Sequence, residues 1–485
     1  MKWHSFLTIL EVAAISAVFF VSVAKAPEPG EEEEVILAKP LSPEQQQVES
    51  QLLKKANENI EKYRKADAFI TFKTESGDSI QNAEVQITQN SHDFLFGALI
   101  FDLVYFWEGA EYPPFRPDLF KKRFKELFNF AIFPFYWGHY EPTQGMPTWE
   151  RMLPVIEWCK SNGITTKGHP LVWTHKSSTP NWLTELPFDL SMELSKARVI
   201  NIVRGFKGKI DIWDVVNEPV NTKTWRSTWL DPNAGRYIEE PIQDIADYVD
   251  EAFRWAYTAN PKANLILNDY FQIAKVSVRK RFFDLVKELK HRDTPISGLG
   301  IQAHEPLKGR EWYPPKDVLE TLDYLGSLGY PLHITEFMPQ SSGMSITGGW
   351  REGAWTQEKQ AEFAEQFYRL CFGHPSVVSI NWWGFSDRTE AWAGRGLVNA
   401  DYSPKPVYNR LKRLIHEEWK TKINTGTDNE GAVKFRGFFG EYVVDLKTKE
   451  GRIYSYNLHL RKDEANKWVF TVTQAAETAE ADRPG

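Results

Sequence analysis

The stretch Ile210–Pro219, IDIWDVVNEP, decides the fold. Ile210, Ile212, Val215 and Val216 make an apolar run of strand length, with Asn217 and Glu218 at its C-terminal end. Pro219 stops the strand because it has no N–H for a ladder. An acid beside an amide at the carboxyl end of a buried parallel strand is where barrel enzymes place their chemistry. A second stretch of this kind, LHITEF at Leu332–Phe337, carries Glu336 near its end. Two glutamates on separate strand ends can face each other across a barrel mouth, one as general acid/base and one as nucleophile. Either alone reads more readily as a structural ion-pair partner; the two together favour catalysis.

Outward from that stretch, apolar strand and amphipathic helix alternate from about Asp93. Strands are expected near 94–100, 131–137, 164–173, 210–217, 264–269, 297–303, 331–336 and 377–384. Helical patterns lie between them, as in Arg116–Phe130 with Phe120, Phe124, Leu127 and Phe128 on one face. Eight alternations predict an α/β fold, a (β/α)8 TIM barrel, over residues 91–420.

The flanks differ. Residues 1–26 combine Lys2 and His4 with an apolar run from Phe6 to Ala24, which reads as an export signal or an uncleaved membrane anchor. Either implies a secreted or cell-surface protein. Residues 27–40 are a Pro- and Glu-rich linker. Over 41–66, Ser42, Pro43 and Gln45 form an N-cap, first-turn proline and capping box for a helix. Residues 67–90 hold two alternating runs, Ala68–Lys73 and Ala83–Thr88, around Glu75-Ser76-Gly77-Asp78, which predicts a β-hairpin. Residues 421–475 form a second set of short alternating strands, and 476–485 read as a disordered tail. Residues 69–88 and 426–446 resemble the two halves of a transthyretin-like or carboxypeptidase-regulatory-like sandwich. Neither half has strands enough for a core, so the expectation is one small β module with the barrel inserted in it.

Composition narrows the function. A net charge of −7 provides no basic surplus for broad nucleic-acid binding. Two cysteines, Cys159 and Cys371, exclude a disulfide framework. No His/Asp/Glu cluster has metal-ligand spacing and no Gly-rich loop could cradle phosphate, so no cofactor is expected. Aromatics are abundant, with 19 Trp, 18 Tyr and 31 Phe, and several stand beside polar residues in loop-like stretches, which suits stacking on sugar rings.

Polar and aromatic residues end the predicted strands together. His169 and Trp173 close GHPLVW, Asn268-Asp269-Tyr270 close the fifth strand, and Gln302 and His304 close the sixth, placed to orient Glu336. Trp383 ends the eighth strand and Trp392 follows in its loop. Asn217 can hydrogen-bond the 2-hydroxyl of the sugar being cleaved. An aromatic floor with polar walls makes a sugar site.

In these motifs the chain resembles glycoside hydrolase family 10, the retaining endo-β-1,4-xylanases and their relatives. GHPLVW, WDVVNEP, LILNDY, GIQAH, HITEF and WWGFSD follow the family's order over roughly 93–418. The resemblance implies Glu218 as acid/base and Glu336 as nucleophile on a polysaccharide or oligosaccharide substrate. It also implies His169, Asn217, Gln302 and His304 as polar neighbours of the cleaved sugar, with Trp173, Trp383 and Trp392 as aromatic walls. Tyr136, Trp137 and Tyr270 complete the expected substrate-binding set. Three departures stand out. In the second-strand motif Trp137 and Glu141-Pro142 match, but Ile132 and Phe133 replace Glu and Asn. Tyr136 replaces Lys, and Met338 stands where the family commonly has Asp. The alternative reading is a catalytically reduced carbohydrate-binding or adhesion protein on the same barrel.

Overall fold

The computed structural model describes residues 40–105, 115–222, 240–304, 309–388 and 393–473. Residues 1–39, which hold the expected export segment and nearly all of the expected linker, lie outside them, as do Trp392 and residues 474–485.

The chain divides into two units. In the first, eight parallel strands close into a barrel in the order β10-β3-β4-β5-β6-β7-β8-β9. They are β3 (Leu95–Leu99), β4 (Phe130–Pro134), β5 (Thr165–His169), β6 (Ile212–Asn217), β7 (Asn264–Asp269), β8 (Gly298–Ile301), β9 (Leu332–Phe337) and β10 (Val377–Trp382). Every residue of β4, β6 and β9 is buried; β4 reads as a continuous apolar run, while β6 and β9 carry buried polar residues among their apolar ones, Asp214 and Asn217 in β6 and His333, Thr335 and Glu336 in β9. A helix follows each strand, among them α4 (Phe188–Gly205) after β5, α5 (Ile242–Ala259) after β6 and α8 (Gln357–Gly373) after β9. Trp213 of β6 packs outward against Phe206 at the end of α4, and Gly168 of β5 makes room for it: a Cβ there would lie 2.1 Å from the indole.

Helix α1 (Pro43–Tyr63) begins with the expected capping box. Ser42 N donates to Gln45 Oε1 at 2.9 Å, and Gln45 N donates to Ser42 Oγ at 3.1 Å. Its first part belongs to the barrel unit, where Arg351 grips Glu49 through two hydrogen bonds of 2.7 and 2.9 Å. Gly373 at the end of α8 allows close approach there, since a Cβ would sit 2.6 Å from Ala56 O.

The second unit is a two-sheet β module. β1 (Lys65–Thr74) lies between β12 (Ala432–Phe438), antiparallel, and β15 (Lys467–Val472), parallel. β2 (Glu84–Gln89) lies between β11 (Lys422–Gly426) and β13 (Gly440–Lys447), and β14 (Ile453–Leu460) completes that sheet. Segments from both ends of the chain thus share both sheets and one core of Ile70, Phe72, Val85, Ile87, Val444 and Leu446.

The hairpin expectation is corrected. The turn forms, with Asp78 N donating to Thr74 Oγ1 at 3.0 Å and one bridge between Lys73 and Ser79. Past it, β1 and β2 part into different sheets. Alternation says only that each strand buries one face. Strands facing each other across a core satisfy that as well as strands lying side by side.

Candidate active site

The strand ends of β5 to β10 converge on two carboxylates. Glu218, one residue past β6, takes a left-handed backbone with φ of +58°, and Phe271 and Ala303 do the same past β7 and β8 at +62° and +57°. Non-glycine residues seldom adopt this conformation, and it recurs where a fold must aim side chains.

Glu218 is held from two sides. Trp173 Nε1 donates to its Oε2 at 3.0 Å and Gln302 Nε2 donates to its Oε1 at 3.1 Å. Burial, reinforced by the nearby Glu336 and Asp269 charges, pushes the Glu218 carboxyl up to about 8 despite those two donors. A carboxyl that keeps its proton at neutral pH is what a general acid requires.

Glu336 is held as an acceptor. Asn268 Nδ2 donates to its Oε1 at 2.9 Å, and the His304 Nε2 donates to its Oε2 at 3.1 Å. Thr335 Oγ1 donates to Asn268 Oδ1 at 2.7 Å, which fixes the amide so that its NH2 faces Glu336 and Asn217 Oδ1. With Asn217 Oδ1 accepting from Asn268 at 2.8 Å, the Asn217 NH2 is left to face a ligand.

A buried charge chain lies beneath. Lys167 Nζ is 2.7 Å from Asp214 Oδ2, at an angle outside that of a hydrogen bond, so the contact is ionic. His169 Nδ1 donates to the same oxygen at 2.7 Å, and His169 Nε2 faces Glu336 Oε1 at 4.0 Å. Burial raises the Asp214 carboxyl, but Lys167 and His169 outweigh it and hold Asp214 below the ordinary carboxylate range. On the other flank, burial pushes Asp269 up to about 7, although Asn221, Val220 N and Tyr270 N donate to it. Those bonds anchor the segment that follows Glu218.

Aromatic rings close the walls. Tyr136 lies 5.5 Å from His169 and 5.7 Å from Trp173 between ring centroids, and Trp383 lies 5.0 Å from His169. Burial, then the Glu336 charge, drives the Tyr136 hydroxyl well above its ordinary range, so it stays protonated.

The structure therefore brings together Glu218, Glu336, His169, Trp173, Asn217, Gln302, His304, Trp383 and Tyr136. Three expectations change. Gln302 orients Glu218 rather than Glu336. Tyr270 packs on Phe271 at 4.7 Å, and the residue of its strand end that reaches the carboxylates is Asn268. Trp137 turns aside: its Nε1 donates to Glu141 Oε2 at 2.9 Å, and its ring packs on Trp182 at 5.8 Å. Asn268, Asp214 and Lys167 were not expected as site residues. For Asp214 and Asn268 the signal in the sequence is a polar residue in a largely apolar strand, which is costly to bury without a partner; Lys167, in the polar strand TTKGH, carries no such signal.

The family model described as glycosyl hydrolase family 10 matches residues 132–414, more than half of the chain. The chain belongs to glycosyl hydrolase family 10. The match begins inside β4, so the first strand of the family 10 barrel, β3, lies before it. Among relatives, the chain is 29% identical over 425 residues to anti-sigma-I factor RsgI6 of Acetivibrio thermocellus, covering 85% of this chain and 49% of that protein. It is 30% identical over 305 residues to endo-1,4-beta-xylanase B of Thermotoga neapolitana, covering 59% of this chain and 80% of that enzyme. The chain thus spans about half the length of the first relative and most of the second. Xylanase 10B of Thermotoga petrophila, solved with xylobiose, shares the fold with a TM-score of 0.53 at 22% identity, over 67% of this chain and 95% of its own.

The Asn268 relay gives a direct test. Asn268→Ala should lower kcat by about 10²–10³-fold, the usual effect of removing a preorganised donor, with KM changing less. Gly300→Ala should act through the same residue, because a Cβ there would lie 2.3 Å from Asn268 Oδ1. Steady-state kinetics on an aryl β-xyloside, with circular dichroism to confirm folding, checks both. Wild-type kcat in a folded Asn268→Ala protein would remove Asn268 from the mechanism.

Proposed function

We propose that this protein is a retaining glycoside hydrolase that cleaves a β-1,4-xylan-like polysaccharide by double displacement. The observation that carries this reading is two carboxyls at one barrel mouth, each aimed by two partners: Glu218 by Trp173 and Gln302, Glu336 by Asn268 and His304. Burial and the neighbouring charges raise the Glu218 carboxyl, which suits it to the acid role. An acid and a nucleophile so placed are the two halves of the reaction.

In the first step Glu336 attacks the anomeric carbon and the glycosidic C–O bond breaks. The departing oxygen takes the Glu218 proton. In the second step water attacks the same carbon, gives its proton to Glu218 and releases Glu336. The two displacements return the β configuration. The carboxyls should stand about 5–5.5 Å apart, the separation of retaining enzymes. Proton NMR of the first-formed product tests this, and an α anomer would overturn it. The same reading places the protein outside the cell or on its surface, on the strength of Lys2 and the apolar run after it.

The raised Glu218 carboxyl sets a pH dependence. As pH rises through about 8 the acid ionises, so kcat/KM on substrates with poor leaving groups should fall along an alkaline limb. Stability follows the same sign. The folded state holds this proton above the pH at which the unfolded chain releases it, so Glu218 lowers stability as pH rises from the ordinary carboxyl range to about 8. Glu218→Gln should therefore erase the alkaline limb and raise Tm at pH 8–9 relative to wild type, while leaving Tm at pH 4 nearly unchanged. Melting curves at the two pH values check it.

A further inference from the structure

A second cavity lies in the barrel unit, away from the carboxylates. Its volume is about 630 Å³, and Trp137, Tyr140, Trp149, Trp182, Arg198 and Lys209 are among its walls. None of the residues that hold Glu218 or Glu336 lines it. Cavities of this size take ligands of one or two sugar rings in volume.

Its distinguishing group is Arg198, on α4 and only 6% exposed. Arg198 Nη2 donates to Phe135 O, but Nε and Nη1 have no hydrogen-bond partner among the described residues. The guanidinium lies 5.1 Å from the ring centres of both Trp137 and Tyr140. Those rings steady the cation without neutralising it. Glu141, the carboxylate nearest in the lining, is already committed to Trp137 Nε1 at 2.9 Å and Gly145 N at 2.7 Å. Burial lowers Arg198 to about 10, so it remains charged at neutral pH. Tyr140 and Glu141 favour its charged form, but among the described residues no carboxylate stands within ion-pair distance, and a buried cation with spare donors is stabilised further by an anion that meets them directly. Lys209 adds a second positive charge to the lining.

The rim bears on the rest of the ligand. Trp149 is 41% exposed and neighbouring Met146 is 67% exposed, an unusual outlay of apolar surface in a loop. Trp149 and Trp182 belong to the polar, loop-like stretches TQGMPTWE and TPNWLTE, whose aromatic residues the catalytic cluster does not use. Indole faces bind the apolar face of a sugar ring, and the cation selects a carboxylate on that ring.

We infer that this cavity is a second carbohydrate site, outside the catalytic cleft, that takes a uronic acid residue with its carboxylate toward Arg198 and its ring against Trp149. The sugar class rests on the polysaccharide reading above; the anionic preference rests on Arg198 alone. A uronate borne on a polysaccharide chain and a free uronic acid share this chemistry, and the ligands tested separate them.

The test is calorimetric titration of the full chain carrying Glu336→Ala, with sodium D-glucuronate, a glucuronic-acid-substituted xylo-oligosaccharide and neutral D-glucose. Glucuronate should bind at least about tenfold more tightly than glucose. The substituted oligosaccharide is compared with its unsubstituted counterpart, which the catalytic cleft alone can bind: added affinity that Trp149→Ala removes would name the polysaccharide as the source, and no added affinity would name the free acid. Trp149→Ala, a surface change, should weaken uronate binding about tenfold without altering aryl-xyloside hydrolysis in the otherwise wild-type chain. Arg198→Gln should abolish the glucuronate preference, and Arg198→Lys should restore part of it. Should Arg198→Gln fail to fold, Trp149→Ala and the glucose comparison still decide. Equal binding of glucose and glucuronate, uronate affinity unmoved by Trp149→Ala, or competition between glucuronate and the aryl xyloside would each overturn the inference. Aryl-xyloside hydrolysis by the wild-type chain reports on the catalytic reading separately.

Discussion

Glu336→Ala should lose turnover by about 10⁴-fold or more on every β-xyloside tested, whatever the leaving group. The expectation follows from how the side chain is held. Asn268 and His304 each donate to one of its oxygens, so both lobes of the carboxylate are aimed and neither can be replaced by rotation of a neighbour. Asp214, the other carboxylate of the floor, is committed to Lys167 and His169. Without Glu336 the glycosyl-enzyme bond cannot form, and a better leaving group does not help. Glu218→Ala should behave differently. It should keep much of its activity on dinitrophenyl glycosides, which depart without a proton, and lose it on alkyl glycosides. External azide separates the two variants further. It should enter the space left by Glu336 and yield the α-glycosyl azide, whereas in Glu218→Ala it should attack the glycosyl-enzyme and yield the β-azide. Equal loss across leaving groups in both variants, with no azide product, would show that the roles assigned to the two glutamates are wrong.

The barrel was legible because both faces of most of its strands are buried, so that several, such as β4 and β7, read as apolar runs followed by polar or aromatic residues. WDVVNEP is largely such a run, whereas LHITEF interleaves Leu332, Ile334 and Phe337 with buried His333, Thr335 and Glu336. Hydrogen bonding was less legible. Gln302 and His304 are two residues apart and look like one device, yet one reaches Glu218 and the other Glu336. The positive φ of Ala303 between them turns the backbone at that point, and spacing alone does not reveal such a turn. At the end of β7 the sequence points to Tyr270 as a substrate-binding residue, but the residue that reaches Glu336 is Asn268. Asn268 donates to Glu336 because Thr335, donating to the amide oxygen, holds the NH2 group in that direction. Strand pairing in the β module shows the same limit. Ile70 and Phe72, like Val85 and Ile87, mark a buried face, but the partner in the sheet depends on chain more than three hundred residues away.

Plain linear xylo-oligosaccharides should gain little from added sugars on the non-reducing side. Ile132 and Met338, two of the departures from the family pattern, meet in one apolar cluster with Leu99 and Trp383, and Phe101 packs against it. The two departures are therefore one change: polar side chains that would face sugar hydroxyls give way to a contact that holds itself together. Phe133, one residue on, alternates to the other face of β4 and is fully buried, so it offers nothing to replace the lost groups. Tyr136 keeps a hydroxyl, but its ring is packed among His169, Trp173 and Phe101. A buried sugar hydroxyl without a partner costs about 1–3 kcal/mol, so two of them would weaken transition-state binding by about 10²–10⁴-fold. Aryl glycosides of one, two and three xylose units measure the effect directly. Their kcat/KM should rise by less than about tenfold for each added sugar, and sugars bearing methyl or acetyl groups should do better than bare xylose at the same position. A rise of about 10²-fold with the second sugar would mean that other residues bind its hydroxyls, and that the cluster around Ile132 does not set the substrate.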